Sequence, residues 1–124
     1  MKLLLDTHAA IWWQREDRRL SRDARRAIAS ADVVWVSSAA GWEVAIKISQ
    51  GRLRLGESFR VMIAADAFTE LPVTFKHAEE LERLPRLHGD PFDRLFIAQA
   101  RVEGATIVTH DRAFEPYGVP VIWT

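Results

Sequence analysis

An α/β fold built on a parallel sheet is predicted by three features of this 124-residue sequence. Short apolar runs at residues 2–5, 32–36 and 105–108 read as strands buried on both faces, the habit of parallel sheets. Stretches of helix-forming residues separate them. Helix punctuation recurs throughout, with Ser, Thr or Asp at the starts and Gly at the ends. Strands alternating with helices imply right-handed crossovers and a sheet covered by helices.

Taken in order, Lys2-Leu3-Leu4-Leu5 is the first strand. It stops at Asp6-Thr7, either of which can cap a helix over His8–Gln14. Ser21 caps a second helix to about Ser30 with its arginines outward. Asp32–Val36 is the second strand, after which Ser37-Ser38 opens a helix to about Ser49, closed by Gly51. Residues 52–56 connect to a helix over roughly Glu57–Ala67. Leu71-Pro72-Val73 reads as a third strand whose proline suits an edge. Thr74–Leu84 is helical and Pro85–Gly89 a loop. Ala105–Val108 is the fourth strand, Thr109-His110-Asp111 a turn running into one helical turn to Glu115, and Val119–Ile122 a fifth, edge-type strand.

The helix that begins at Asp90-Pro91 carries the most chemistry. Asp90 is a good N-cap, proline suits the first helical position, and Gly104 ends the run. Winding at ~100° per residue puts Arg94 and Arg101 on one solvent stripe. Asp93 instead stacks over Ile97 and near Ala100, a face that reads as buried. A carboxylate there is costly unless something positive meets it. The plainer reading is that Asp90 and Asp93 satisfy first-turn amides and favour the helix dipole.

Length and composition are those of one globular domain, 48% hydrophobic and 27% charged. The absence of cysteine excludes disulfides and thiolate metal sites. Met1-Lys2-Leu3-Leu4-Leu5-Asp6 is too short and too soon charged for a signal peptide, and no apolar run approaches membrane-spanning length. A soluble, cytoplasmic protein is expected. Its net charge of zero argues against a broadly basic nucleic-acid coat. Residues 1–62 nevertheless hold 11 Lys/Arg against 7 Asp/Glu, with arginines at 15, 18, 19, 22, 25 and 26. That cluster is either a solvated helix face or a track for phosphates.

In open α/β sheets, ligands sit beyond the carboxyl ends of the strands. Asp6 follows the first strand, Glu43 lies in the helix after the second, Asp93 heads the helix leading to the fourth, and Asp111 comes just after it. Each has a structural alternative: Asp6 as a cap, Asp111 in a turn, Glu43 in an i,i+4 pair with Lys47. Four acids at one rim would raise one another's pKa unless a cation is bound. Carboxylate oxygens suit magnesium or manganese, and a set without a histidine ligand is a poor zinc site. Such a site fits metal-assisted phosphodiester hydrolysis, with one ion or two. His8, His88 and His110 neighbour the acids as rim residues without metal-ligand spacing.

The motifs Leu3-Leu4-Leu5-Asp6-Thr7-His8, Ser37-Ser38-Ala39-Ala40-Gly41-Trp42-Glu43-Val44-Ala45-Ile46-Lys47, Asp90-Pro91-Phe92-Asp93-Arg94-Leu95 and Val108-Thr109-His110-Asp111 resemble, in order, those of the PIN-domain ribonucleases. The resemblance covers the whole chain and is to the VapC-type toxins of toxin–antitoxin pairs. It implies a three-layer α/β domain over residues 1–124 with a parallel, roughly five-stranded sheet. It also implies an endoribonuclease dependent on Mg2+ or Mn2+, acting on structured RNA such as tRNA or rRNA. Asp6, Glu43, Asp93 and Asp111 match the family's acidic quartet, with Asp6 and Asp93 as the most direct metal ligands. Asp90 is then an accessory acid or a cap, and Thr7, Ser37 and Thr109 orient carboxylates or water. A homodimer and a cognate antitoxin are the implied protein partners, the antitoxin's tail lying in a groove over the acids. Ile11, Trp12 and Trp13 are candidates for such a groove or a dimer face, with core packing as the alternative.

Two other acidic-pocket folds fit less well. A phosphoacceptor receiver needs an aspartate after its third strand and a late lysine, but the last lysine here is Lys76. A dehalogenase-type phosphatase needs a second aspartate two residues after the first, where His8 stands. A non-catalytic RNA- or partner-binding module on the same fold remains the alternative, distinguished by whether RNA is cut.

Overall fold

In the computed structural model, which describes residues 1–124, the first strand takes the centre of a five-stranded sheet. This strand, β1 (Lys2–Leu5), lies between β2 (Val33–Ser37) and β4 (Thr106–Thr109), and the edges are β3 (Thr69–Leu71) and β5 (Val121–Trp123). Every pairing is parallel, with Leu4 opposite Trp35 on one side and Ile107 on the other. Leu3, Leu4, Leu5, Ile107 and Val108 are wholly buried, which is why these strands lack polar alternation. The chain steps outward from β1 to β3, then returns to lay β4 against β1. The winding reverses at that junction, and the carboxyl ends of β1 and β4 open a crevice there.

Six α-helices join the strands: α1 (Thr7–Gln14), α2 (Arg22–Ser30), α3 (Ser38–Ser49), α4 (Phe59–Ala65), α5 (Phe75–Arg83) and α6 (Pro91–Glu103). A 3-10 helix, Arg112–Tyr117, precedes β5. Each α-helix starts on a side chain that accepts a first-turn amide: Asp6, Ser21, Ser37, Ser58, Thr74 and Asp90. Such a cap contributes about 1 kcal/mol. Gly104 stops α6 at φ 68°, a left-handed conformation that glycine enters without a Cβ penalty. α6 buries Phe96, Ile97, Ala98 and Ala100 and carries α5 along its side. None of these helices is long and apolar enough to cross a membrane.

The element order agrees with expectation, and the discrepancies lie at the edges. The third strand is Thr69–Leu71, two residues earlier than Leu71–Val73. Thr69 and Glu70 are exposed, so apolarity did not mark them, and Pro72 falls just past the strand where no ladder amide is needed. The fifth strand is Val121–Trp123 rather than Val119–Ile122. Ser58 is the α4 cap, which shortens that helix at both ends from the expected Glu57–Ala67.

Gly41 sits inside α3 without a positive φ, and a Cβ there would meet only Phe59 Cδ2, at 3.9 Å. Gly41→Ala is therefore expected to raise stability by about 0.5–1 kcal/mol. A denaturant midpoint that stayed level or fell would contradict this.

Candidate active site

Asp6 leaves β1 at the centre of the crevice and is 6% exposed. Its Oδ1 accepts the Ala9 amide at 2.8 Å, and its Oδ2 accepts the Thr109 hydroxyl at 2.5 Å. β1 and β4 are neighbours, so Thr109 at the end of β4 reaches Asp6 directly. The same hydroxyl oxygen accepts the Asp111 amide at 3.0 Å and orients the turn that follows. Asp111 then caps the 3-10 helix, accepting Ala113 N–H at 2.9 Å. Burial raises the Asp6 carboxyl above its ordinary range. The Thr109 and Ala9 hydrogen bonds oppose that rise and the charge of Glu43 adds to it.

Glu43 projects from α3 with both oxygens engaged: Thr7 Oγ1 donates to one at 2.6 Å and Lys47 Nζ to the other at 3.1 Å. Asp93, in the first turn of α6, has no Lys or Arg partner. His88 Nε2 is its nearest cationic candidate, at 3.5 Å. Its carboxyl is pushed up to about 8, first by burial and then by the charges of Asp90, Asp111, Asp6 and Glu43. Acids from four separate segments thus bear on one carboxyl. Asp90 caps α6 by accepting the Phe92 and Asp93 amides at 2.9 and 3.1 Å.

A family model described as "PIN domain" matches residues 3–119. The chain belongs to the PIN-domain family. It is 34% identical over 121 residues to "Ribonuclease VapC22" of Mycobacterium tuberculosis, covering 95% of this chain and 93% of that one. Among solved structures it resembles VapBC2 from Rickettsia felis bound to a promoter DNA fragment, with TM-score 0.77, 16% identity, and coverage of 100% of this chain and 99% of the other. FitAcB from Neisseria gonorrhoeae gives TM-score 0.67 at 18% identity, covering 97% and 96%. At those identities the two structures speak for the PIN fold alone.

The PIN crevice offers carboxylate and hydroxyl oxygens with histidine at its rim, a hard donor set that fits magnesium or manganese. No three of its His, Asp and Glu groups close tightly enough to form a ready-made cage.

Several sequence expectations need correction. Ser37 is 2% exposed and donates nothing to the acids; its oxygen caps α3 at Ala39 N–H, 3.0 Å away. Thr7 and Thr109 do hold carboxylates. Arg94 is not on a solvent stripe with Arg101. It is half-buried, donating to the Pro85 carbonyl at 2.7 Å and the Tyr117 hydroxyl at 3.1 Å. Trp12 is buried in the core, whereas Ile11, also largely buried, borders a small cleft with Thr7, His8, Lys47 and Arg52, and Trp13 leans on Phe68 at the edge of another. Within the arginine cluster, Arg15 is tied to the Arg54 carbonyl, Arg25 to the Asp17 carbonyl and Arg19 to the Asp17 side chain. Arg18, Arg22 and Arg26 stay exposed. The contact between His88 Nδ1 and Tyr117 OH, at 2.7 Å, was not anticipated; no spacing rule links residues so far apart.

Proposed function

We propose that this PIN-domain chain is a metal-dependent endoribonuclease and the toxin of a toxin–antitoxin pair. The observation that carries the reading is Asp93: a carboxyl pushed up to about 8 first by burial and then by four other acids, beside which no lysine or arginine stands. Carboxyls perturbed this strongly cluster at functional sites. The identity to a relative named ribonuclease supports the chemistry.

In this proposal Asp6, Glu43, Asp93 and Asp111 hold Mg2+ or Mn2+, with Asp90 as cap and accessory acid. The bound ion supplies Lewis-acid polarisation of the phosphodiester and lowers the pKa of water. The chain's own part is positioning. Thr109 fixes Asp6 and the Asp111 turn together, Thr7 fixes Glu43, and Lys47 places a cation where a phosphate would arrive. His88 stands beside Asp93 and is held by Tyr117.

The RNA target in this reading is structured, tRNA or rRNA being the first candidates, and the setting is the cytoplasm. A cognate antitoxin and a homodimeric state are part of the same proposal. A toxin-antitoxin complex from Klebsiella pneumoniae has the same fold, and the antitoxin partner is proposed by analogy with it.

The test is incubation of total bacterial RNA with purified protein in magnesium, manganese or chelator, beside Asp6→Asn and Asp93→Asn. Discrete fragments that need metal and both aspartates are expected. Undiminished cleavage by both variants would overturn the site. One observation favours a second reading, a binding module that never cuts: the acids of the crevice are mostly satisfied internally. Metal-independent RNA affinity with no fragments would establish that reading instead.

A further inference from the structure

Trp42 is 63% exposed, among the most exposed of the large hydrophobic side chains. Its indole meets the Phe92 ring edge to face, at 5.3 Å between centroids and 70° between planes. These two aromatics come from different helices, and each immediately precedes a carboxylate of the crevice: Trp42 before Glu43 on α3, Phe92 before Asp93 on α6. An edge-to-face contact can cover only one face of the indole. At least one face is therefore free of Phe92.

Phe92 also borders a cleft of about 410 Å³ between α3 and α6. Lys47, Gln50 and Arg52 line that cleft with the carboxylates of Glu43 and Asp90, and only Ile46 and Phe92 are large apolar groups in it. Arg52 is exposed, and its guanidinium donates only to Gln50, at 3.3 Å. An aromatic ledge joined through Phe92 to a polar cleft holding two cations beside two carboxylates is an arrangement that can grip a nucleotide, with the base on the ring and the phosphate on the cations.

We propose that the Trp42–Phe92 pair is a base-stacking platform that holds an unpaired nucleobase of the RNA next to the acids, with Lys47 and Arg52 receiving the adjoining phosphate. The inference rests on the nuclease reading for its substrate class. It makes the preferred substrate locally single-stranded, because a base stacked in a duplex has no free face to offer.

The test uses the full chain carrying Asp93→Asn, so that bound RNA is not cut, in magnesium buffer. A fluorescein-labelled, short, mixed-sequence single-stranded RNA and a blunt duplex of the same sequence are titrated with it by anisotropy. Trp42→Ala is expected to weaken single-strand binding about tenfold, the loss of one base stack, with little effect on the duplex. Trp42→Phe, which keeps a ring, is expected to retain most of the affinity. Equal affinity of Trp42→Ala and parent for the single strand would overturn the platform, as would no measurable single-strand binding by the parent. A change in sedimentation mass without a change in RNA affinity would also overturn it, assigning the indole to a protein contact. Cleavage assays on the chain without Asp93→Asn separate the two claims. Metal-dependent cutting that ignores Trp42 leaves the nuclease standing and removes the platform, whereas Trp42-dependent binding with no cutting does the reverse.

Discussion

Asp93→Asn is expected to melt at a higher temperature than the parent chain in chelator at pH 8 and above, with the gap closing on acidification. An unfolded aspartate releases its proton near the ordinary value of 3.8, whereas the folded chain holds it until about 8. Between those limits unfolding frees a proton, so stability falls as pH rises, and the whole penalty is present above pH 8. Asparagine keeps the shape and removes the charge that burial, and then Asp90, Asp111, Asp6 and Glu43, oppose. Asp6, also raised by burial, keeps part of the slope in the variant. Magnesium is expected to reverse the order, stabilising the parent through binding to the folded state and the variant much less. Thermal melts from pH 5 to 9, with and without metal, measure both effects. Identical pH slopes in parent and variant would show that Asp93 is not the strained group.

Thr109→Val is expected to lower stability by about 1–3 kcal/mol although it changes almost no volume. The wholly buried hydroxyl is the only side-chain donor to Asp6 Oδ2, at 2.5 Å, and the acceptor for the Asp111 amide at 3.0 Å. Valine leaves both groups unsatisfied beside the crevice. The hydrogen bond is also the strongest influence holding the Asp6 carboxyl down, so its loss drives that carboxyl further up. Metal affinity is expected to fall about 10–100-fold, as when a group that orients a ligand is removed. Urea denaturation and a manganese titration read the two effects separately. A valine variant as stable as the parent would mean that Asp6 is held by its helix cap alone.

The sequence made the sheet legible where burial is two-sided. Lys2–Leu5 and the run ending in Thr109 are marked by apolarity because helices cover both their faces. Thr69–Leu71 escaped because a short edge strand needs neither apolarity nor alternation, and only its hydrogen bonds to β2 define it. The convergence of the acids was readable from strand ends, since topology fixes where a parallel sheet opens. What each acid touches was not. The Lys47 pairing of Glu43 follows from i,i+4 spacing, whereas its Thr7 bond depends on how α1 and α3 approach each other. The fate of Arg94 was hidden for a similar reason. A helical wheel shows its direction but not the loop at Pro85 and the Tyr117 hydroxyl waiting there.

The sheet order has a consequence for how the molecule comes into being. The central strand is the first made, yet one of its two neighbours is the fourth, and the hydroxyl that steadies Asp6 lies 103 residues downstream. A nascent chain therefore carries an unfinished crevice for most of its synthesis, with Asp6 and Glu43 emerged and Asp93 and Asp111 still to come. Any chemistry that needs all four acids begins only after β4 has slid in beside β1. Timing is thereby written into topology: the four acids come together only once the last third of the polypeptide has folded.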